Sequence, residues 1–513
     1  MRTLSPSHPR SHKNTTPQIA DGTTTYDVDP KSLTLSPKIR EECGVFGVYG
    51  ADNAAAVTAL GLHALQHRGQ EACGIACTDG KKFHTERHLG LVGDNFTGDD
   101  PSLRLPGFAA IGHNRYSTAG TTILRNTQPL FADLSSGGFA IAHNGHLTNA
   151  YLLREQLVKD GAIFQSTSDT EVVLHLVARS KRVKFIDKFI DALRQIDGGF
   201  AFVGLTNKKL IGARDRLGIR PLIIGKKDGM YLLASETCAL DMIDAEVFRE
   251  VEPGEVVIIT ESGIEFVRAF PETPARPCVF EFVYFARPDS IVDGRSVYEV
   301  RKRMGQRLAQ EAPADIDLII PVPDSGVPAA LGYAQESGIQ FDLGIIRNHY
   351  VGRTFIQPTQ QIRDMSVRLK HSPNRKLIEG KRVLLVDDSI VRGTTSTKIV
   401  RMIRDAGATE VHFRSASPPI LHPDFYGVDM PSTKQLLAAN HDLETMNKLL
   451  GSDSLGFLSV EGLYWALGID VRNDELPQYS DHCFTGDYPT ALVDFDRKNI
   501  GKDPQMSFLV EVA

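Results

Sequence analysis

The stretch VLLVDDSIVRGTTS (383–396) decides the fold of the second half of the chain. An apolar run reads as a buried strand, two acids end it, and a turn of Ser, Gly and two Thr opens a helix. That helix, TSTKIVRMIRDAG, is amphipathic and stops at Gly407. A helix N-terminus offers free backbone N–H groups and the positive end of its dipole, so residues 389–395 can cradle a phosphate. In open α/β sheets, ligands gather at the carboxyl ends of strands. Asp387 and Asp388 repel a phosphate. Their chemistry suits ribose hydroxyls, or a Mg²⁺ that already holds a pyrophosphate. The plain alternative is a capped helix with solvated acids, and the full pattern argues against it.

Around this stretch IDLIIPVP, FDLGII, KRVLLVDD and EVHFRSAS read as strands, and VPAALGYAQESG as a helix ending at Gly338. Strands alternating with helices predict a parallel sheet with crossover helices. Upstream, the Pro-rich PETPARP (271–277) marks a junction. Before it the rhythm differs. GVFGVY, FAAIGHNRY, GFAIAHNG, FAFVGL, LIGARD, PLIIGK, YLLASE and EVVIIT read as short strands bounded by turn residues. AAAVTALGLHALQHRG and DTEVVLHLVARS are helical patterns, so this half is α+β, with sheet layers and helices outside. Residues 1–42 are polar and aperiodic and read as a disordered or removable leader. The expected organisation is a leader (1–42), a domain at 43–270, a second at 278–470, and a helical or irregular tail (471–513).

A net charge of −6 leaves no basic footprint for nucleic acid. No apolar run reaches the roughly 20 residues a membrane helix needs. Six irregularly spaced cysteines fit a reducing, cytoplasmic setting rather than a disulfide framework. Cys73 and Cys77 have no second pair nearby and read as small core residues.

Cys43 stands apart, at the head of the apolar GVFGVY and behind the leader. No His beside it announces a Cys–His pair. Cleavage before it would free its own α-amine, with a reference pKa near 8, as a base. Three further segments supply the parts of an amide-hydrolysing site. In HNRYSTAG, Arg115 could hold a substrate carboxylate bidentately. In AHNGHLTN, the Asn144 side chain and the Gly145 N–H could form an oxyanion hole, although Asn-Gly is also a common turn. In TSDTE, Asp169 could pair with an α-ammonium, although the segment also reads as a helix N-cap. A thiol with two such clamps points to glutamine.

These motifs carry two resemblances. VLLVDDSIVRGTTS resembles the phosphoribosyl pyrophosphate (PRPP) signature of type I phosphoribosyltransferases, PVPDSG (321–326) their pyrophosphate loop, and RNHYVGRTFIQP (347–358) their closing loop. CGVFGV, LQHRGQEACGI, HNRYST, HNGHLTN and SDTE resemble the N-terminal-nucleophile glutamine amidotransferases. Together the chain from Cys43 resembles the glutamine PRPP amidotransferase family. That implies an αββα glutaminase sandwich followed by an α/β phosphoribosyltransferase domain. The implied reaction converts glutamine, PRPP and water to phosphoribosylamine, pyrophosphate and glutamate, the first committed step of de novo purine synthesis. Ammonia would pass between two sites, and purine nucleotides would inhibit.

The resemblance implies PRPP contacts from Asp324, Ser325, Tyr350, Arg353, Asp387, Asp388, Ser389, Val391, Arg392, Gly393, Thr394 and Thr395. It implies one Mg²⁺ per subunit on Ser325, Asp387 and Asp388, and a homodimer or homotetramer. One branch of the family holds a [4Fe–4S] cluster on four cysteines. The matching positions here are Cys278, Asp424, Ser480 and Cys483, so no cluster is expected. Two rival readings fit less well. A glucosamine-6-phosphate-forming amidotransferase would lack the PRPP motif. A non-catalytic PRPP-sensing regulator need not keep Cys43, Arg115, Asn144 and Asp169 together.

Overall fold

The structure, a computed structural model, describes residues 43–96, 100–116, 123–348, 371–428, 430 and 432–495. The leader, Tyr350 and Arg353 lie outside the described residues.

Strand β1 (Gly44–Tyr49) explains the layering of the first half. All six residues are buried, and because side chains alternate, it serves two cores. Val45 and Tyr49 enter one core, Phe46 and Val48 another. The strands that follow in this half are β2 (Ala72–Thr78), β3 (Phe83–Leu89), β4 (Ala109–Arg115), β5 (Leu130–Leu134), β6 (Gly137–Leu147) and β7 (Gly198–Thr206). Then come β8 (Leu210–Arg214), β9 (Ile223–Lys227), β10 (Met230–Ala234), β11 (Glu246–Glu250), β12 (Glu255–Thr260) and β13 (Gly263–Arg268). They form two antiparallel sheets, ordered β11-β9-β10-β1-β4-β2-β3 and β13-β12-β8-β7-β6-β5. Val45, Ile111, Ala142 and Val203 pack between the sheets. The helix Ala54–Ala64 covers the first sheet, and helices Ala150–Lys159, Thr170–Arg179 and Phe185–Leu193 cover the second. The result is the expected αββα sandwich. Cys73 and Cys77 are core residues of β2, fully buried.

In the second half a short hairpin, β14 (Ile291–Val292) with β15 (Arg295–Ser296), leads into the helix Val297–Glu311. Strands β16 (Leu318–Pro321), β17 (Ile345–Arg347), β18 (His371–Pro373), β19 (Arg382–Asp387), β20 (Glu410–Ser415) and β21 (Ser454–Phe457) follow. Their parallel sheet runs β16-β19-β20-β21. Helices Val297–Glu311 and Val327–Ser337 pack on one face, and Thr394–Asp405 on the other. FDLGII departs from its expectation. Only Phe341 bridges to Ile319, and Ile345 and Ile346 pair antiparallel with β18. A Cβ on the intervening Gly344 would lie 2.2 Å from the Ile320 side chain, so the segment presses on the sheet without extending it.

The described residues belong to one compact unit. Leu217 and Ile219 share a core with Phe280, Tyr426 and Tyr479. The segment 471–495 is part of this joint. The Asp494 carboxylate accepts the backbone N–H of Tyr151 at 2.7 Å and of Leu152 at 3.0 Å. It thereby caps the N-terminus of a first-half helix with negative charge.

Candidate active sites

Cys43 directly precedes β1 and is buried. Its Sγ donates to the Tyr116 carbonyl at 3.3 Å. That contact follows from register: β1 and β4 pair Gly44 with Asn114, so the end of β4 arrives beside the thiol. Burial pushes the thiol up, and the Arg115 charge pulls the other way. Arg115, also buried, donates to the Asn126 carbonyl at 3.0 Å. Asn126 in turn exchanges hydrogen bonds with Thr167, which ties Arg115 to the segment leading into Asp169.

Asn144 and Gly145 lie inside β6, with Gly145 opposite Phe200 on β7, so this Asn-Gly is not a turn. The two sheets meet here: His113 Nε2 lies 3.1 Å from the carbonyl of His143, one residue before Asn144. Both polar atoms of the Asn144 amide are buried without a hydrogen-bond partner among the described residues. An unpaired buried amide costs about 1–3 kcal/mol, so a polar group brought to this position would be stabilised by hydrogen bonds to it. Gly145 has φ +136°, and a Cβ there would fall 2.1 Å from the Gly199 carbonyl. Only glycine fits.

Asp169 heads the helix Thr170–Arg179 and accepts from the Thr170 and Leu147 N–H groups at 2.8 and 3.0 Å. Burial would raise its carboxyl, but His143, His146 and the Leu147 N–H hold it well below the usual range. A buried carboxylate kept charged can receive an ammonium. Sequence reasoning missed the supporting residues. The Gln128 side chain accepts the His143 N–H at 2.8 Å, and its amide donates to Thr170 Oγ1 at 3.1 Å. Burial and the Arg115 charge depress His113 to about 3, so it stays neutral. The histidine repeated in HNR and HNG was the available signal.

Arg68, in the motif LQHRGQ, is buried and donates to the Cys43 carbonyl at 3.2 Å. It also pairs with Glu236 at 2.6 Å and with Glu281 of the second half at 2.7 Å. His67 lies beyond the end of helix Ala54–Ala64 and pairs with Glu236 at 2.7 Å.

In the second half, β16 and β19 are parallel, with Pro321 opposite Val386, so their following loops emerge side by side. Asp387, Asp388 and Ser389 are buried at this edge. Asp387 accepts the Asp388 N–H at 3.0 Å, and Ser389 Oγ donates to Asp388. Gly393, at φ +73°, turns the chain into the helix Thr394–Asp405. Thr395 Oγ1 is buried there without a partner among the described residues. Asp324, in the neighbouring loop, pairs with Arg347. Val391 packs in the core, and the Arg392 guanidinium reaches Gln435 at 3.2 Å. Adjacent carboxylates beside the Ser325 loop offer the all-oxygen donors a hard divalent cation takes.

The position of the possible iron–sulfur cluster has different chemistry. Cys278 and Cys483 are buried, while the Asp424 carboxylate meets His482 Nε2 at 2.6 Å and Ser480 Oγ meets His482 Nδ1 at 2.9 Å. Two thiols, with both oxygen donors engaged by a histidine, do not fit a four-thiolate cluster.

Comparison with known proteins gives the same division. A glutamine amidotransferase domain model matches residues 113–242, and a phosphoribosyl transferase domain model matches residues 289–415. An amidophosphoribosyltransferase of Rhizobium etli is 60% identical over 91% of this chain and 96% of its own length. One from Bacillus subtilis is 47% identical over 88% of this chain and 95% of its own. Among solved structures, the B. subtilis glutamine PRPP amidotransferase complexed with ADP and GMP matches with TM-score 0.83. It is 46% identical and covers 88% of this chain and 98% of that one.

Proposed function

The chain belongs to the amidophosphoribosyltransferase family and performs glutamine-dependent amidotransfer to PRPP in purine biosynthesis, and from that premise we propose which residues do the work. Cys43 is the nucleophile, with its own α-amine as base once the chain is cleaved before it. Arg115 holds the glutamine α-carboxylate and Asp169 the α-ammonium. Attack on the side-chain amide forms a tetrahedral oxyanion that Asn144 and the Gly145 N–H stabilise. Ammonia leaves, and water hydrolyses the γ-glutamyl thioester. Residue 43 opens the first domain, which ends near 270; the second spans 278–470 and is followed by the tail.

At the second site the Ser389–Thr395 loop binds the 5′-phosphate through backbone N–H groups and the Thr395 hydroxyl. Asp324 and Ser325 serve the pyrophosphate, and Tyr350 and Arg353 close over it. Asp387, Asp388 and Ser325 would hold one Mg²⁺ per subunit, which supplies charge neutralisation to the leaving pyrophosphate. Ammonia reaches the ribose through the interior of the molecule. Purine nucleotides regulate the enzyme, consistent with the nucleotides bound to its B. subtilis relative. We place the protein in the cytoplasm as a homodimer or homotetramer, without an iron–sulfur cluster. No helix of the described residues is long and apolar enough to cross a membrane.

The unpartnered buried amide of Asn144 carries this reading. Its test is paired assays of Cys43→Ser and Asn144→Ala. Both should lose glutamine-dependent synthesis, by roughly 100-fold or more for the oxyanion donor, and keep ammonia-dependent synthesis. Full glutamine turnover in either variant would overturn the assignment.

A further inference from the structure

A loop of the second half, residues 424–428, lies against the backbone of the oxyanion glycine. A Cβ on Gly427 would stand 3.0 Å from Gly145 Cα and 3.1 Å from its carbonyl carbon. The preceding Tyr426 is fully buried, and its Cβ lies 3.1 Å from where a Cβ on Gly199 would stand. Gly199 pairs with His146 across β6 and β7, so the loop touches both strands beside Gly145. Gly427 has φ +124°. Conformation and close approach therefore both require glycine there.

Asp424 holds this loop in shape. Its Oδ1 accepts the N–H groups of Tyr426 at 2.7 Å and Val428 at 2.8 Å, closing the turn around Gly427. Its Oδ2 accepts from His482 Nε2 at 2.6 Å. His482 Nδ1 in turn lies 2.9 Å from Ser480 Oγ. Ser480 is anchored in turn: its N–H donates to Pro277 at 2.9 Å, and its carbonyl accepts from Val279 at 3.2 Å. Asp424, Ser480 and His482 are all buried. The hydrogen bonds thus run from the junction between the halves to the turn that packs against Gly145.

We infer that Asp424, His482 and Ser480 form a buried positioning relay that sets the Gly145 peptide for glutamine hydrolysis, with Gly427 as the point of contact. The inference rests on the assignment of Asn144 and Gly145 as oxyanion donors. Such donors act by preorganisation, and a displacement of about 1 Å can cost about 100-fold in rate.

The test measures glutamine-dependent and ammonia-dependent phosphoribosylamine synthesis side by side in the full protein. With Asp424→Ala, kcat on glutamine should fall roughly ten- to a hundredfold, with KM for glutamine and the ammonia-dependent rate largely unchanged. Asp424→Asn should recover most of the rate. Its amide oxygen still accepts both N–H groups, and His482 can change tautomer so that Nε2 accepts from the amide and Nδ1–H donates to Ser480. Gly427→Ala perturbs Gly145 while leaving the relay intact, and should show the same selective loss. Parallel loss of both activities in Asp424→Ala and Gly427→Ala would overturn the inference, as would unchanged glutamine turnover in both. Asn144→Ala, run alongside, separates the two ideas. If it also leaves turnover intact, the oxyanion assignment is at fault. If it alone abolishes turnover, the assignment stands and the relay is refuted.

Discussion

Replacing Arg68 by Met removes the charge that joins the two halves beside Cys43. Arg68 is fully buried and bonds Glu236 at 2.6 Å, Glu281 at 2.7 Å and the Cys43 carbonyl at 3.2 Å. Met fills similar volume but leaves two carboxylates, themselves 0% and 1% exposed, without that partner. Breaking a buried ion pair from one side costs about 3–5 kcal/mol. The lost carbonyl bond adds about 1 kcal/mol. His67 still reaches Glu236 at 2.7 Å, and Arg220 reaches Glu281 at 3.5 Å, which offsets part of the loss. A net destabilisation of about 3–5 kcal/mol is expected. Urea unfolding followed by the fluorescence of Trp465, the chain's single tryptophan, measures it. The decisive control is the double variant Arg68→Met, Glu236→Gln, which leaves Glu281 with Arg220. It removes the stranded Glu236 charge and should recover part of the loss, since uncompensated charge is the main cost. A loss below about 1 kcal/mol, the range of exposed pairs, would refute the reasoning. So would a double variant no more stable than the single one.

Two further outcomes are expected. Thr395→Val removes a buried hydroxyl that lacks a partner among the described residues. A charge-assisted hydrogen bond to phosphate is worth about 1.5–3 kcal/mol, so KM for PRPP should rise tenfold or more while the ligand-free protein is no less stable. An unchanged KM would remove Thr395 from the phosphate site. In acid, burial opposes charge on Asp169 and Glu236, yet His143, and His67 with Arg68, hold both carboxyls below their unfolded values. Their contribution is complete above the unfolded pKa values of about 4 and is lost as pH falls below them. The urea midpoint should therefore hold steady from these groups at neutral pH and drop below about pH 4. A midpoint that stays flat on acidification to pH 3 would contradict this.

Local chemistry made much of this protein legible in one dimension. The acids and the Ser-Gly-Thr turn after the apolar VLLV marked the end of a strand and the start of a helix from residue type alone, and β19 ends and the helix Thr394–Asp405 opens there. Alternation along GVFGVY and GFAIAHNG placed them in two-faced sheets. Partner choice was another matter. FDLGII is apolar enough for a strand, but its Gly344 packs against Ile320, and its last residues pair with a segment beyond residue 370. Strand β21 completes the parallel sheet through pairing with β20, though its own four residues carry no distinctive pattern.

The same division runs through the candidate sites. Cys43, Arg115, Asn144 and Asp169 each had a chemistry that could be named from residue type. Their proximity comes from the register of β1 with β4 and from the contact of β4 with β6 across the sandwich. Packing then assigned states that residue type leaves open: burial raises the Cys43 thiol and keeps His113 neutral, while His143, His146 and the Leu147 N–H hold the buried Asp169 carboxylate charged. Arg68 with Glu281, and Gly427 against Gly145, join residues more than 200 positions apart. Residue type and local spacing state what a side chain can do, whereas long-range packing decides which charge and which peptide it meets. That is why the reaction could be read along the chain, while the coupling of its two halves required the folded molecule.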